Sequence, residues 1–175
     1  IGTPHYADRP VPSLAVINSA GATLDGNKLV LTGVSSNTIV FADRRPRGID
    51  SDSVTVDNAA GADLAIEHLL AHGHRRIGVI TDLRTIPTAA ERLDGVRSAY
   101  AAAGLPLEPS LVVTDVRTPS DASRAAVALL DRADPPTAFF SARNVIAEGV
   151  LRTLAARGRH YEIAHIGFDD FPLAD

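Results

Sequence analysis

Cysteine, methionine and tryptophan are all absent from this 175-residue chain, and Lys28 is the single lysine among 17 basic residues. Without cysteine there are no disulfides, thiolate metal sites or thiol nucleophiles, and thiols say nothing of the redox compartment. With one lysine, phosphate-loop lysines and Schiff-base chemistry are excluded everywhere else. No run of about 18 apolar residues is present to span a bilayer. The net charge of −4 argues against a broad grip on a nucleic-acid backbone. What is present is 45% apolar and 22% charged, the balance of a soluble globular chain with enough core for one modest domain or two small lobes. The sequence opens at Ile1 without a charged-then-apolar leader, so it reads as a processed piece or an excised fragment.

Composition and period change near Phe41. Residues 1–40 are strand-like. Leu14 to Ile17 is a short apolar run, and Ala22 to Leu24 and Leu29 to Thr32 flank Asp25-Gly26-Asn27-Lys28, which suits a tight hairpin. Thr38 to Phe41 is a further strand. From Ser53 onward short apolar strands alternate with stretches of three-to-four-residue period, the order expected of a parallel α/β sheet. Asp57-Asn58 can cap a first helix with Ala62, Ala65, Ile66, Leu69 and Leu70 inward and Gly73 as its stop. Ile77 to Ile80 follows as a strand. A helix from Thr88 to Ala103 buries Ala89, Leu93, Val96 and Tyr100 and ends at Gly104. Leu111 to Val113 is the next strand, and Thr118-Pro119-Ser120-Asp121 opens a third helix with Ala122, Ala125, Ala126, Leu129 and Leu130 inward. Ala138 to Phe140, a helix striped by Ala147, Val150, Leu151 and Leu154 up to Gly158, and a strand from Ile163 to Phe168 complete the pattern.

Self-contained chemistry is mostly missing. There is no dinucleotide-binding glycine motif, phosphate loop, nucleophile elbow or zinc-protease helix. His68 and His72 are spaced to clamp a metal, but no third ligand accompanies them, and no metal is expected. Arg44, Arg45 and Arg47 read as a solvated loop. The informative pattern is positional, because open parallel sheets bind ligands beyond the carboxyl ends of their strands. Asp43, Asp82 and Asp169-Asp170 each follow a strand, Arg92 lies at the start of the second helix, and Arg143-Asn144 follow Phe139-Phe140. Carboxylates accept from hydroxyls, an amide donates and accepts, and a guanidinium donates a fork, so together they suit a polyhydroxylated ligand. Phe41, Phe168 and Phe171 are near enough in sequence to supply apolar faces for a sugar ring. Taken singly, each acid is as well explained as a helix cap or loop solvator.

The stretch from Ser53 to Ala62, Glu67-His68 through Gly73-His74-Arg75-Arg76-Ile77-Gly78, Glu91-Arg92-Leu93-Asp94-Gly95, Ala103-Gly104-Leu105 and Ile166-Gly167-Phe168-Asp169-Asp170 with Pro172-Leu173-Ala174 resembles the core of the lactose-repressor (LacI) family of bacterial transcription regulators. The resemblance runs from about residue 41 to 175. It implies a periplasmic-binding-protein-like α/β fold of two lobes with a small effector, often a sugar or nucleoside, between them. It also implies ligand-binding roles for Asp43, Arg92 and Asp169, the same residues that lie at strand ends. Where the family usually carries Asn-Asp, this chain has Arg143-Asn144, whose positive charge makes a neutral sugar a weaker expectation and an anionic effector a stronger one.

Residues 1–40 do not resemble the family's DNA-reading head or its first strand and helix units, and read as a β segment foreign to it. The expected division is therefore 1–40, 41–84 as a partial first lobe and 85–175 as a partial second lobe, with exposed sheet edges and marginal stability. The resemblance implies an effector-sensing domain of a cytoplasmic regulator, a homodimer when intact, with operator DNA reached only through a missing head. No cofactor and no membrane partner are implied. A solute-binding protein of a sugar transporter is the alternative. An enzyme is disfavoured, since adjacent Asp169 and Asp170 on extended backbone point to opposite sides and cannot flank one bond.

Overall fold

The computed structural model describes residues 52–170 and four short strands ahead of them, falling into two compact units, Ile1–Val56 and Asp57–Asp175. The first unit holds β1 (Ala15–Ile17), β2 (Ala22–Asp25), β3 (Lys28–Leu31), β4 (Ile39–Ala42) and β5 (Asp52–Val54). Strands β1, β4 and β5 form a parallel sheet in that order, and β2 pairs antiparallel with β3. In that pair Asp25 lies opposite Lys28, and the Gly26-Asn27 turn expected from the sequence lies outside the described residues.

The second unit runs α1 (Asn58–Ala71), β6 (Ile77–Ile80), α2 (Pro87–Ala102), β7 (Val112–Val113), α3 (Pro119–Leu130), β8 (Ala138–Ser141), α4 (Asn144–Ala156) and β9 (Ala164–Gly167). Its four strands are parallel in the order β7-β6-β8-β9. Alternation along the strands divides the core. Ile77, Val79, Ala138 and Phe140 pack with α1 and α2, whereas Ile80 and Phe139 pack with α3 and α4 on the opposite face. A three-layer sandwich follows, each face of the sheet covered by one helix pair.

Local signals account for the helices. Asp57 accepts from the Ala60 N–H at 2.9 Å and caps α1, which buries Ala62, Ile66, Leu69 and Leu70 and stops at Gly73 with φ +89°. Thr118 and Asp121 form a reciprocal capping box at α3, with Pro119 in the first turn. All four residues expected to face inward from α2 are buried. Differences are small. Ala65, Ala125 and Leu151 are half-buried rather than buried. Leu111 ends a short 3₁₀ turn led by Pro109, so β7 is only two residues long.

Along the chain the two compact units meet between Val56 and Asp57. A cut at 84 would split β6 from the sheet in which it pairs with β7 on one side and β8 on the other. An alternating strand and helix pattern looks the same within a lobe as between lobes, which is why the sequence does not mark the boundary.

Two helix contacts depend on glycine. A Cβ on Gly95 of α2 would lie 2.1 Å from the Ala59 carbonyl oxygen on α1, and one on Gly149 of α4 would lie 2.2 Å from the Pro119 carbonyl oxygen on α3. The absence of a side chain lets each helix pair close.

Candidate functional site

The strand order sets where a ligand can sit. From β6 the chain crosses through α2 to β7 on one side, and from β8 it crosses through α4 to β9 on the other. The connections diverge between β6 and β8, so the topological switch point, where open sheets of this kind place a ligand crevice, lies beyond the carboxyl ends of those two strands. Asp82 stands two residues past β6 and Arg143 two residues past β8, on either side of that crevice.

Arg92, projecting from the second turn of α2, is the centre of the cluster at this edge, and it is buried. Its Nε donates to Asn58 Oδ1 at 2.8 Å. Its Nη1 donates to the Ala142 carbonyl at 2.7 Å and to Asp169 Oδ2 at 3.1 Å. The guanidinium carbon lies 3.8 Å from the centre of the Phe168 ring, a cation–π contact. Asn58 is itself buried at the start of α1 and donates through Nδ2 to Glu91 Oε2 at 2.8 Å. One arginine thus ties α1, α2 and the ends of β8 and β9 together.

Asp169 reaches Arg92 through an unusual backbone. Among the described residues the non-glycine positions with left-handed φ are Asp115 (+66°) and Asp169 (+69°), each two residues past a strand of this sheet. Aspartate tolerates that conformation better than most side chains, because its carboxylate can satisfy nearby donors.

The second ion pair crosses the crevice. Arg143 Nη1 donates to Asp82 Oδ2 at 2.5 Å, and the other Asp82 oxygen accepts from the Leu83 N–H at 2.7 Å. Asp82 is buried, with 7% of its side chain exposed against 39% for Arg143. Asn144 begins α4, and its Oδ1 accepts from the Val145 N–H at 2.8 Å.

Arg92 and Asp169 are therefore joined directly, and Arg143 with Asn144 stands at the same sheet edge, one residue beyond the carbonyl that Arg92 holds. Asp43 lies outside the described residues, as do Arg44, Arg45, Arg47 and Phe171. In the sequence Asn58 reads only as part of a helix cap. Its signal was a second polar residue after Asp57 at a helix start, which does not by itself distinguish a cap from a buried partner. Asp82 is legible as a strand-end acid, but its pairing with a residue 61 positions later has no local signature.

Among the described residues no three His, Cys, Asp or Glu side chains are placed to hold a metal ion. His72 Nδ1 is hydrogen-bonded to the His68 carbonyl at 2.8 Å, and the two rings touch. His165 on β9 is held by burial at a pKa of about 4, its Nε2 2.9 Å from Ser141 Oγ. No helix among the described residues is long and apolar enough to cross a membrane.

A family profile described as "Periplasmic binding protein-like domain" matches residues 66–175. The chain belongs to that family, in its LacI-type form. This periplasmic binding protein-like domain is 35% identical over 136 residues to the HTH-type transcriptional regulator CelR of Thermobifida fusca, covering 75% of this chain and 40% of that protein. It is 28% identical over 179 residues to the HTH-type transcriptional repressor PurR of Aliivibrio salmonicida, covering 97% of this chain and 52% of the repressor. That longer alignment takes in most of residues 1–40, the stretch that reads as foreign to the family.

Solved structures agree. A sugar-binding transcriptional regulator of the LacI family from Escherichia coli, complexed with phosphate, superposes with a TM-score of 0.68 at 30% identity, covering 78% of this chain and 50% of that one. The transcriptional regulator CelR–cellobiose complex superposes with a TM-score of 0.66 at 34% identity, covering 75% and 42%. The chain spans about half or less of the length of these relatives.

Proposed function

We propose that this chain is the effector-sensing part of a LacI-type transcriptional regulator, and that the carboxyl edge of the β7-β6-β8-β9 sheet binds a small polyhydroxylated ligand. The carrying observation is the buried Arg92, which holds Asp169 at the mouth of the switch-point crevice with the Arg143 and Asp82 pair beside it. Within it Arg92 positions, Asp169 accepts hydroxyl hydrogens, and Arg143 and Asn144 donate. Asp43 remains a proposed contact on the strength of the family resemblance. The cellobiose bound by one relative and the phosphate bound by another fit a small polar effector for the family. Regulators rather than transport proteins among these relatives favour this reading over a solute-binding protein.

The site is read as one that binds and releases its ligand without catalysis. Asp82 and Asp169 are each engaged by an arginine, so neither stands as a free acid or base across a bond. In the whole regulator, operator binding, a homodimer and a cytoplasmic location are part of the same proposal.

Thermal unfolding in a panel of sugars, sugar phosphates and nucleosides tests it. A ligand present at about 100 times its Kd adds about 2.7 kcal/mol of stability, a rise of several degrees. Asp169→Asn keeps the shape and removes the acceptor charge, and is expected to weaken that ligand at least about tenfold. An unchanged ligand shift in Asp169→Asn, or no shift across the panel, overturns the proposal.

A further inference from the structure

We propose that Arg143 and Asp82 act as one charge-compensated pair that selects an uncharged, hydroxyl-rich ligand over its phosphorylated or carboxylated counterpart. This rests on the reading of the sheet edge as a ligand site, and it reverses the expectation that an arginine at position 143 favours an anion.

Three observations carry it. The positive charge of Arg143 is already met by a carboxylate that is itself buried and fixed by a backbone N–H, so it is not available as an unpaired cation. In the neighbouring pair the exposure is reversed, with 44% of the Asp169 side chain exposed against 9% of Arg92. The outward half of one pair is thus a donor fork and the outward half of the other an acceptor carboxylate. A hydroxyl both donates and accepts, so a polyol can satisfy both, whereas a phosphate or carboxylate finds no unpaired cation at this edge and has no hydrogen to give the Asp169 acceptor. Finally, three of the four first-turn N–H groups of α4 are already engaged, which leaves the helix start little to offer an anion. The Val145 N–H is taken by Asn144 Oδ1, and the Ile146 and Ala147 N–H groups are taken by the Arg143 carbonyl.

Matched pairs of probes test the selectivity: glucose against glucose 6-phosphate and glucuronate, ribose against ribose 5-phosphate, cellobiose, and inorganic phosphate alone. Calorimetric titration of the wild-type protein is expected to give binding only within the neutral set. Asp82→Asn removes the compensating charge and is expected to strengthen an anionic member by about tenfold or more while weakening its neutral partner. Because Asp82 is buried, circular dichroism must show that this variant folds, and Arg143→Gln provides the second arm. Arg143→Gln is expected to weaken the neutral ligand about tenfold with no gain for the anion. A merely structural role for the pair would lower affinity for both classes together and leave their ratio unchanged, which would overturn the inference. Wild-type protein that binds the phosphorylated member as tightly as the neutral one also overturns it while leaving the site reading intact. Absence of binding by every probe to wild-type and variants overturns the site reading and this inference with it.

Discussion

Lowering the pH from 7.5 to 5 is expected to destabilise this protein through one residue, His165. It lies on β9 opposite Phe139 of β8, and its Nε2 is 2.9 Å from the hydroxyl of the fully buried Ser141. Burial holds its pKa at about 4, below the ordinary value of 6.5. The folded state therefore binds the proton less readily than the unfolded chain. Stability is complete above about pH 6.5 and is lost as the pH falls toward 4. Evaluated for those two pKa values, the loss between pH 7.5 and 5 is about 2 kcal/mol, rising to about 3 kcal/mol below pH 4. For a chain of this size about 2 kcal/mol corresponds to roughly 4–8 °C in Tm. Carboxylates held below their usual range by neighbouring donors, Glu108, Asp121 and Asp131, add their losses only under more acidic conditions, so the window isolates the histidine. Urea unfolding of wild-type and His165→Gln protein at both pH values measures the difference. If the two proteins lose equal stability between pH 7.5 and 5, the half-buried neutral imidazole is not the cause and the reasoning fails.

Further consequences concern packing, capping and the arginine hub. Gly149→Ala places a Cβ 2.2 Å from a backbone oxygen of α3 and 2.6 Å from the Ala122 Cβ. Loss of about 1–3 kcal/mol or more is expected by denaturant unfolding, against near-neutrality if α3 and α4 can simply separate. Thr118→Ala removes the hydroxyl that accepts from the Asp121 N–H at 3.1 Å, and about 1 kcal/mol should be lost, while Thr118→Ser should retain most of it. Arg92→Lys keeps the charge, but one ammonium cannot serve Asn58, the Ala142 carbonyl and Asp169 together. It should cost about 1–3 kcal/mol of stability, and wild-type stability in this variant would mean that the hub is dispensable.

The helices and most strands of the second unit were legible because their signals are local. Asp57, Thr118 and Pro119 start helices, Gly73, Gly104 and Gly158 end them with φ between +65° and +89°, and the buried stripes follow the helical period. Strand ends were legible too, and with them the acids and arginines that follow. What sequence could not supply was adjacency. The same alternating pattern is compatible with several strand orders, and it is the pairing of β6 with β8 that puts Asp82 next to Arg143. An arginine read alone is a cation, whereas read with Asp82 it is half of an ion pair, and that difference is the basis of the proposed preference for an uncharged ligand. Close helix approaches at Gly95 and Gly149 were equally hidden, because a glycine inside a helix reads as a weak position until its neighbour is known.

The two ion pairs share a division of labour that bears on how such a site recognises a ligand. In each, one member is buried and held by further hydrogen bonds, Arg92 by Asn58 and the Ala142 carbonyl, Asp82 by the Leu83 N–H. The other member, Asp169 or Arg143, is the more exposed and is oriented by its buried partner. A long arginine side chain loses up to about 2 kcal/mol of rotamer freedom when immobilised, and here that loss is incurred during folding rather than on ligand association. Anchoring the exposed groups in this way raises affinity without adding contacts. It also explains why the anchors should be conspicuous in stability measurements and the exposed members in binding measurements. Arg92→Lys should therefore shift the unfolding midpoint more than Asp169→Asn does, and Asp169→Asn should show its effect chiefly when ligand is present.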